Sequence, residues 1–176
     1  MKKILSAFVF MIFSVAAMAQ SPIIEKYMDK YEGNEDFTKV SLNGRMFSLF
    51  AQLEGGTEEE KEFMEAVSKI QGLKVLVGEK VEDAPKLFKQ ATAEVDKAGY
   101  DELMTVKDAD EDMKFSIKEK GGVIEELIMV VGGNKSFVLL SLYGEIDLNA
   151  ISKVAKKMDV GGFSNLSRLG NDGDGN

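Results

Sequence analysis

Residues 113–143 read MKFSIKEKGGVIEELIMVVGGNKSFVLLSLY, and this stretch decides the fold. At its start Met113, Phe115 and Ile117 alternate with polar residues, which is typical of a strand with one buried and one wet face. Gly121-Gly122 then separates this run from a second apolar run. Paired glycines favour the positive φ angles of a two-residue turn, so the opening of the stretch predicts a β-hairpin.

The rest of the stretch extends this hairpin. Residues 123–131 form the next predicted strand, and the turn-forming sequence Gly132-Gly133-Asn134-Lys135 follows it. Residues 137–143 are then almost wholly apolar, as expected of a central strand. Together these runs predict an antiparallel meander.

A strand–helix–strand pattern precedes the meander. Leu73–Val77 is a predicted strand, and the helix after it has Pro85 in its first turn and Gly99 just past its end. Tyr100–Val106 returns as a strand. Residues 73–106 are therefore a candidate β-α-β unit, and its last strand makes the C-terminal meander four-stranded.

Shorter elements are predicted before residue 73. Ser21-Pro22 opens a first helix, and Asn43 caps a second helix after a strand at residues 37–42. Thr57 and Glu60 form a capping box for a third helix, which Gly72 is expected to stop. The expected buried stripe of the second helix is Met46, Leu49, Phe50 and Leu53.

The C-terminal part predicts one more helix and a tail. Asp147 is expected to cap a helix whose inward residues are Leu148, Ile151, Val154, Ala155 and Met158. Residues 161–176 are rich in glycine and asparagine and bury little, which predicts a flexible tail. The whole pattern indicates a single two-layer α+β domain over residues 20–160. Its sheet is largely antiparallel, and its helices pack mainly on one face.

The N-terminus predicts export. Lys2 and Lys3 precede an apolar run at residues 4–15, and small residues up to Ala19 form an A-x-A cleavage site. The run is shorter than the roughly 20 apolar residues that span a bilayer. Residues 1–19 are therefore a predicted cleaved signal peptide, and the mature chain is expected in the periplasm or medium without a membrane anchor.

Composition excludes several classes of chemistry. Cysteine and histidine are absent, so disulfides, thiolate or Ser-His nucleophiles, and zinc sites with imidazole or thiolate ligands are excluded. Loss of the two signal-peptide lysines changes the formal net charge from −8 to −10. An acidic surface repels phosphate backbones and anionic head groups, so nucleic acid is not an expected partner.

Three segments resemble a known family. They are residues 73–77, 126–133 and 137–157, and the last contains the phrase GEIDLNAISKVAK at residues 144–156. Across roughly residues 22–160 the chain is similar to exported Gram-negative bacterial proteins grouped as domain of unknown function 4252. The resemblance implies an envelope location and this fold, with no catalytic residue or ligand. Members are often encoded near envelope-stress sigma-factor systems, which implies a regulatory role.

One acidic stretch suggests a calcium site. Its residues match positions 1, 3, 5, 9 and 12 of an EF-hand loop: Asp108, Asp110, Asp112, Ser116 and Glu119. Met113 stands where the loop needs glycine, and a strand after it would carry Glu119 some 20 Å from Asp112. A solvated turn is the main interpretation. A weaker calcium site at the three aspartates stays open, and no metal or cofactor is assigned.

Other candidate features have simple structural interpretations. Glu58-Glu59-Glu60 fits a helix N-terminus, which attracts carboxylates, better than a glycosidase acid pair. The sequence at Gly132–Lys135 lacks the Walker spacing for phosphate binding. Arg45 is either a surface residue or a carboxylate ligand. The methionines fill core gaps more often than they line an adaptable groove; they include Met28, Met46, Met64 and Met104.

The expected function is that of a non-catalytic binding or interaction module of the bacterial envelope, with an unidentified envelope protein as its partner. The alternative is a periplasmic carrier of an apolar ligand such as a lipid or acyl chain, because helices over a curved sheet can enclose an apolar cavity. A carboxylate-only enzyme is a third interpretation, but no pair of acids stands out for it.

Overall fold

The computed structural model describes residues 22–52 and 57–148. The helices are α1 (Pro22–Lys30), α2 (Gly44–Ala51), α3 (Glu58–Ser68) and α4 (Ala84–Lys97). The strands are β1 (Phe37–Asn43), β2 (Ile70–Gly78), β3 (Asp101–Lys107), β4 (Glu111–Lys120), β5 (Val123–Gly133) and β6 (Phe137–Ile146). The signal peptide, Leu53, the helix predicted after Leu148 and the tail lie outside the described residues.

The six strands form one antiparallel sheet in the order β1-β2-β6-β5-β4-β3. The four-stranded meander of β3, β4, β5 and β6 is confirmed, as is the α+β class. Gly121 and Gly122 have φ angles of 62° and 84°, as the two-residue hairpin turn requires. Strands β2 and β3, which flank α4, point the same way, but β6, β5 and β4 lie between them.

Helices α1 and α4 cover one face of the sheet and form the first core. Their inward residues include Ile24, Tyr27, Leu87 and Val95, which recur at the three- and four-residue spacing of an amphipathic helix. The sheet contributes Leu76, Ile128, Val130, Phe137 and Leu139. Phe137 and Leu139 are fully buried, so this side of β6 is the centre of the core.

The opposite face carries a second core. It contains Ile70, Phe115, Ile117, Leu127 and Ile146. Phe47 of α2 packs against it, so the helices are divided between the faces, with α1 and α4 on the first face and α2 reaching the second.

The expectation of a wet face on β4 is wrong. Ser116 is only 1% exposed, and the Lys114 side chain is 13% exposed. The reason is that α4 lies over this face, and the Lys114 ammonium binds Asp96 at 2.8 Å and Glu102 at 2.9 Å. Burial alone would lower the pKa of Lys114, but the hydrogen bonds to Asp96 and Glu102 outweigh it and raise that pKa.

Gly72 does not stop α3, contrary to the sequence prediction. The helix ends at Ser68, and Gly72 lies inside β2, paired with Asn43 on one side and Tyr143 on the other. A methyl group at Gly72 would lie 2.3 Å from the Tyr143 hydroxyl oxygen. Glycine is therefore required here because an aromatic ring rests on the strand.

Candidate functional site

Helix α2 is well defined at its N-terminus. The Asn43 side chain accepts a hydrogen bond from the Met46 backbone N–H at 3.3 Å, which confirms the predicted cap. The Ser48 hydroxyl donates to the Gly44 carbonyl oxygen at 3.0 Å. Helix α2 also packs against α3, β1 and β2. Side chains on its outer face are therefore presented by a fixed scaffold.

The predicted buried stripe of α2 is wrong. Met46 is 42% exposed, and Leu49 and Phe50 are each 50% exposed. Helix α2 has no fully buried residue, and it packs inward through the half-buried Phe47 and Ala51. Periodicity locates an apolar stripe but does not say what covers it. We call Met46, Leu49, Phe50 and the adjacent Arg45 the α2 surface.

A cleft of about 450 Å³ adjoins the α2 surface. It lies where the end of β1 meets the start of α2, beside the α3–β2 junction and the end of β6. Its lining is Asn43, Gly44, Arg45, Ser48, Ser68, Ile70, Gln71 and Tyr143. Most of these side chains offer hydroxyl, amide or guanidinium groups, but the exposed lining is mainly apolar, so the cleft suits an apolar group that carries a polar or charged end.

The cation of this cleft is Arg45. Among the residues that the structure describes, it is the one arginine and makes no ion pair. The neighbouring Lys69 is already engaged, because its ammonium lies 3.0 Å from Glu145 and 3.8 Å from Glu65. The hydrogen bond to Glu145 raises the pKa of Lys69. A ligand carboxylate entering the cleft would therefore meet the Arg45 guanidinium, whose fork of donors matches two carboxylate oxygens.

Arg45, which lines the cleft, and the exposed apolar side chains lie on the same helix. Arg45 and Leu49 are four residues apart on α2 and so share one side of the helix. Met46, Leu49 and Phe50 follow the same three- and four-residue spacing. The arrangement can hold an apolar segment along α2 while an acidic group of that segment enters the cleft.

The aspartates suggested for calcium do not converge. Asp112 lies in β4, and Glu119 lies seven residues further along the same extended strand, as the strand prediction required. The Asp108 carboxylate accepts a hydrogen bond from the Ala109 backbone N–H at 2.6 Å. Across residues 22–52 and 57–148, no group of three or more acidic residues is placed to hold a metal ion.

A buried carboxylate was missed by sequence reasoning. Glu126 is 5% exposed. The Tyr100 hydroxyl donates to its Oε2 atom at 2.5 Å, and the Ser141 hydroxyl donates to Oε1 at 2.6 Å. The sequence did contain a signal for this burial, because Glu126 lies on the same face of its strand as Ile128 and Val130 at alternate positions. Both oxygens are bonded and enclosed, so Glu126 joins strands rather than forming an open catalytic site.

The remaining residues that the sequence suggested as functional have structural roles. Glu60 completes the predicted capping box with Thr57, at 2.9 and 3.2 Å. The Gly132–Lys135 sequence belongs to the β5–β6 connection, although its two glycines are the last residues of β5 and pair with Asp112 and Glu111 of β4. Met28 is buried, whereas Met64 and Met104 are half-buried.

The fold and site thus define an α+β protein with a half-exposed apolar helix face beside a cleft lined by Arg45. The chain belongs to the family described as domain of unknown function DUF4252, whose model matches residues 31–154. No curated protein and no solved structure matches it. Within the described ranges, no helix is both long and apolar enough to cross a bilayer.

Proposed function

We propose that this protein is an exported, non-catalytic interaction module of the bacterial envelope that binds a protein partner through the α2 surface. The observation that carries the proposal is the half-exposed state of Met46, Leu49 and Phe50 on a capped helix. Apolar surface that is left open on a rigid element commonly marks a binding site.

The apolar part of the α2 surface can contribute to binding but is not sufficient by itself. Covering the open halves of these three side chains would bury about 300 Å² of apolar area. At about 25 cal/mol per Å² this amounts to about 7 kcal/mol before the cost of association. An interface centred here therefore needs further contacts for stable binding, and Arg45 in the adjoining cleft supplies a charged one.

Charge favours a protein partner over a lipid surface. Glu58, Glu62 and Glu65 are exposed on α3, which packs beside α2. These carboxylates would be repelled by anionic head groups, and a second copy of the chain would bring the same acids face to face. The occupant that fits is an apolar segment of a partner protein that carries a carboxylate for Arg45.

In the test, a tagged mature chain is cross-linked to its neighbours in the envelope of the producing bacterium and purified by its tag. The proteins captured with the wild type and with each variant are then compared. We expect Phe50→Asp to lose the partner, with affinity at least about thirtyfold weaker, because a buried charge replaces a central aromatic contact. Val123→Asp is the matched control, since Val123 is also an exposed apolar residue, 41% accessible, but lies at the β4–β5 hairpin. Equal capture of the partner by both variants would show that the partner does not bind through the α2 surface.

Arg45 is tested separately. Arg45→Glu is expected to weaken partner binding about tenfold or more, whereas Arg45→Lys should retain part of the affinity, because lysine keeps the charge but lacks the bidentate fork. Lys61→Glu on α3 serves as a charge-matched control outside the cleft lining. If Arg45→Glu and Lys61→Glu weaken partner binding equally, the loss of affinity comes from the change in net charge and not from recognition in the cleft.

The carrier of an apolar ligand is the second candidate, and the observation that favours it is the apolar second face of the sheet. Met113, Met129, Leu140 and Leu142 are only half-buried there. Native mass spectrometry of the mature protein distinguishes the candidates. A stoichiometric lipid would support the carrier, whereas a protein-only mass with a co-isolated partner would support the interaction module.

A further inference from the structure

The outer edge of strand β1 is open to solvent. Among the residues that the structure describes, β1 pairs with β2 alone and forms one end of the sheet. Thr38, Val40 and Ser41 are exposed, and Val40 is 40% accessible although it is apolar. An edge strand presents a row of backbone donors and acceptors to which another strand can pair. The outer edge of β1 is therefore a candidate pairing surface.

The hydrogen bonds to β2 determine which backbone groups of β1 point outward. Just before the strand, the Glu79 N–H donates to the Asp36 carbonyl oxygen at 3.0 Å. Bonded and non-bonded pairs alternate along an antiparallel ladder, so the even-numbered residues of β1 bond to β2. The N–H and C=O groups of Lys39 and Ser41 therefore point away from β2, toward the open side.

The opposite edge of the sheet is protected, whereas β1 is not. Strand β3 has a register shift between Glu102 and Met104, and three of its seven residues are charged. Bulges and charges are common devices that keep edge strands from pairing. Strand β1 keeps one register over all seven residues, and its one charged residue, Lys39, forms an ion pair with Glu32. Of the two edges, β1 is thus the one suited to pairing.

We infer that two copies of the chain pair through β1 in the antiparallel direction, centred on Val40, so that the sheet continues from one copy into the other. This register joins the outward groups, because Lys39 of one copy lies opposite Ser41 of the other, twice by symmetry. Val40 lies opposite its own counterpart, and Thr38 lies opposite Leu42. A register centred on Lys39 is disfavoured because it places two lysines opposite each other.

The ends of the paired strands are also complementary in charge. The register brings the exposed Asp36 of one copy beside Gly44, the first residue of α2, of the other copy. Helix α2 has no acidic residue in its own first turn, and a helix N-terminus favours a carboxylate. The two α2 helices begin roughly 25 Å apart along the strands. The pairing uses the backbone of β1, so it does not depend on the partner proposed for the α2 surface.

Sedimentation velocity of the purified mature chain tests the pairing. We expect a concentration-dependent dimer that Ser41→Pro weakens at least about tenfold, because proline removes an outward N–H from each copy. Thr105→Pro is the matched control on the opposite edge. The Asp108 N–H donates to the Glu111 carbonyl oxygen at 3.0 Å, so the same alternation places the Thr105 N–H on the open side of β3. A monomer at every concentration, or equal dissociation constants for the two variants, would overturn the inference.

A disulfide tests the register without proline. The chain contains no cysteine, and residue 40 meets its counterpart in a non-hydrogen-bonded pair with Cα atoms about 4.5 Å apart, within disulfide range. Thr38→Cys is the control on the same face, because the two copies of residue 38 lie roughly 13 Å apart. We expect Val40→Cys to form cross-linked dimers at least about tenfold faster than Thr38→Cys. Equal rates would contradict the register.

The experiments also separate a second copy from another occupant of this edge. A different protein could add one of its own extended segments to β1. In that case the purified chain would stay monomeric, and Ser41→Pro would remove a protein that the wild type captures in the envelope. That result would show that β1 pairs with another protein and would overturn the inference of a dimer.

Discussion

The buried carboxylate of Glu126 gives the sharpest prediction about stability. In the Glu126→Gln variant the side chain keeps its shape but offers one oxygen acceptor and an NH₂ group. In the wild type, Tyr100 and Ser141 each donate a hydrogen bond to a separate carboxylate oxygen of Glu126, at 2.5 and 2.6 Å. One of these hydroxyls would therefore face a donor and lose its charge-assisted hydrogen bond.

The expected cost follows from that single loss. A hydrogen bond to a charged group contributes about 1.5–3 kcal/mol, and no cavity is created, so Glu126→Gln should lower the free energy of unfolding by about 2 kcal/mol. Removing one donor with Tyr100→Phe or Ser141→Ala should cost a similar amount. The double variant should cost less than the sum of both, because the two donors share one carboxylate.

Urea denaturation followed by far-ultraviolet circular dichroism measures these differences. The chain has no tryptophan, so the backbone signal is the suitable probe. Glu119→Gln on β4 is the control, since that glutamate is exposed, and its change should stay within about 0.5 kcal/mol. If Glu126→Gln is as stable as the control variant, the hydrogen bonds from Tyr100 and Ser141 to Glu126 do not contribute measurably to the free energy of unfolding.

Three further predictions test other parts of the structure. Burial raises the pKa of Tyr27 to about 12, with smaller contributions from neighbouring groups; the unfolded value is near 10. Stability from Tyr27 is therefore complete well below pH 10 and falls as the pH rises from 10 to 12, by about 1–2 kcal/mol once solvent screening is allowed for. Urea titrations at these pH values should show a smaller alkaline loss in Tyr27→Phe, and equal losses would contradict the assignment. Leu49→Ser should change the free energy of unfolding by less than about 0.5 kcal/mol, whereas Leu87→Ala should cost about 2–5 kcal/mol; equal costs in denaturation would mean that Leu49 is covered. Gly72→Ala should lower stability by about 1–3 kcal/mol, because its methyl group displaces the Tyr143 ring. A melting temperature that matches the wild type would show that the ring moves without cost.

The fold was largely predictable because local signals agreed with one another. The period-two pattern at Met113–Ile117, the paired glycines at 121 and 122 and the cap at Asn43 each act through neighbouring residues. Strand order was not predictable in this way. Nothing near Leu73 says that β6, the last strand, will insert beside β2.

The exposure of the α2 surface was only half predictable, because exposure depends on tertiary packing. The sequence identifies the apolar residues of α2 and the adjacent Arg45, but their exposure depends on which side of the helix meets α3 and β2. Phe47 and Ala51 took the inward positions, which left Leu49 and Phe50 outside. In the same way, the solvent exposure of Lys114 and Ser116 depended on α4, which packs on β5 and β6 on the same face of the sheet and supplies Asp96 to Lys114.

Photo-cross-linking in the envelope tests whether the α2 surface binds a protein partner. A photoreactive amino acid replaces Phe50 in one variant and Val123 in the other, both exposed apolar positions at different places on the molecule. We expect a discrete protein adduct from position 50, which Arg45→Glu should diminish and which position 123 should not give. Adducts only with lipid, only with a second copy of the chain, or equally from both positions would contradict this expectation.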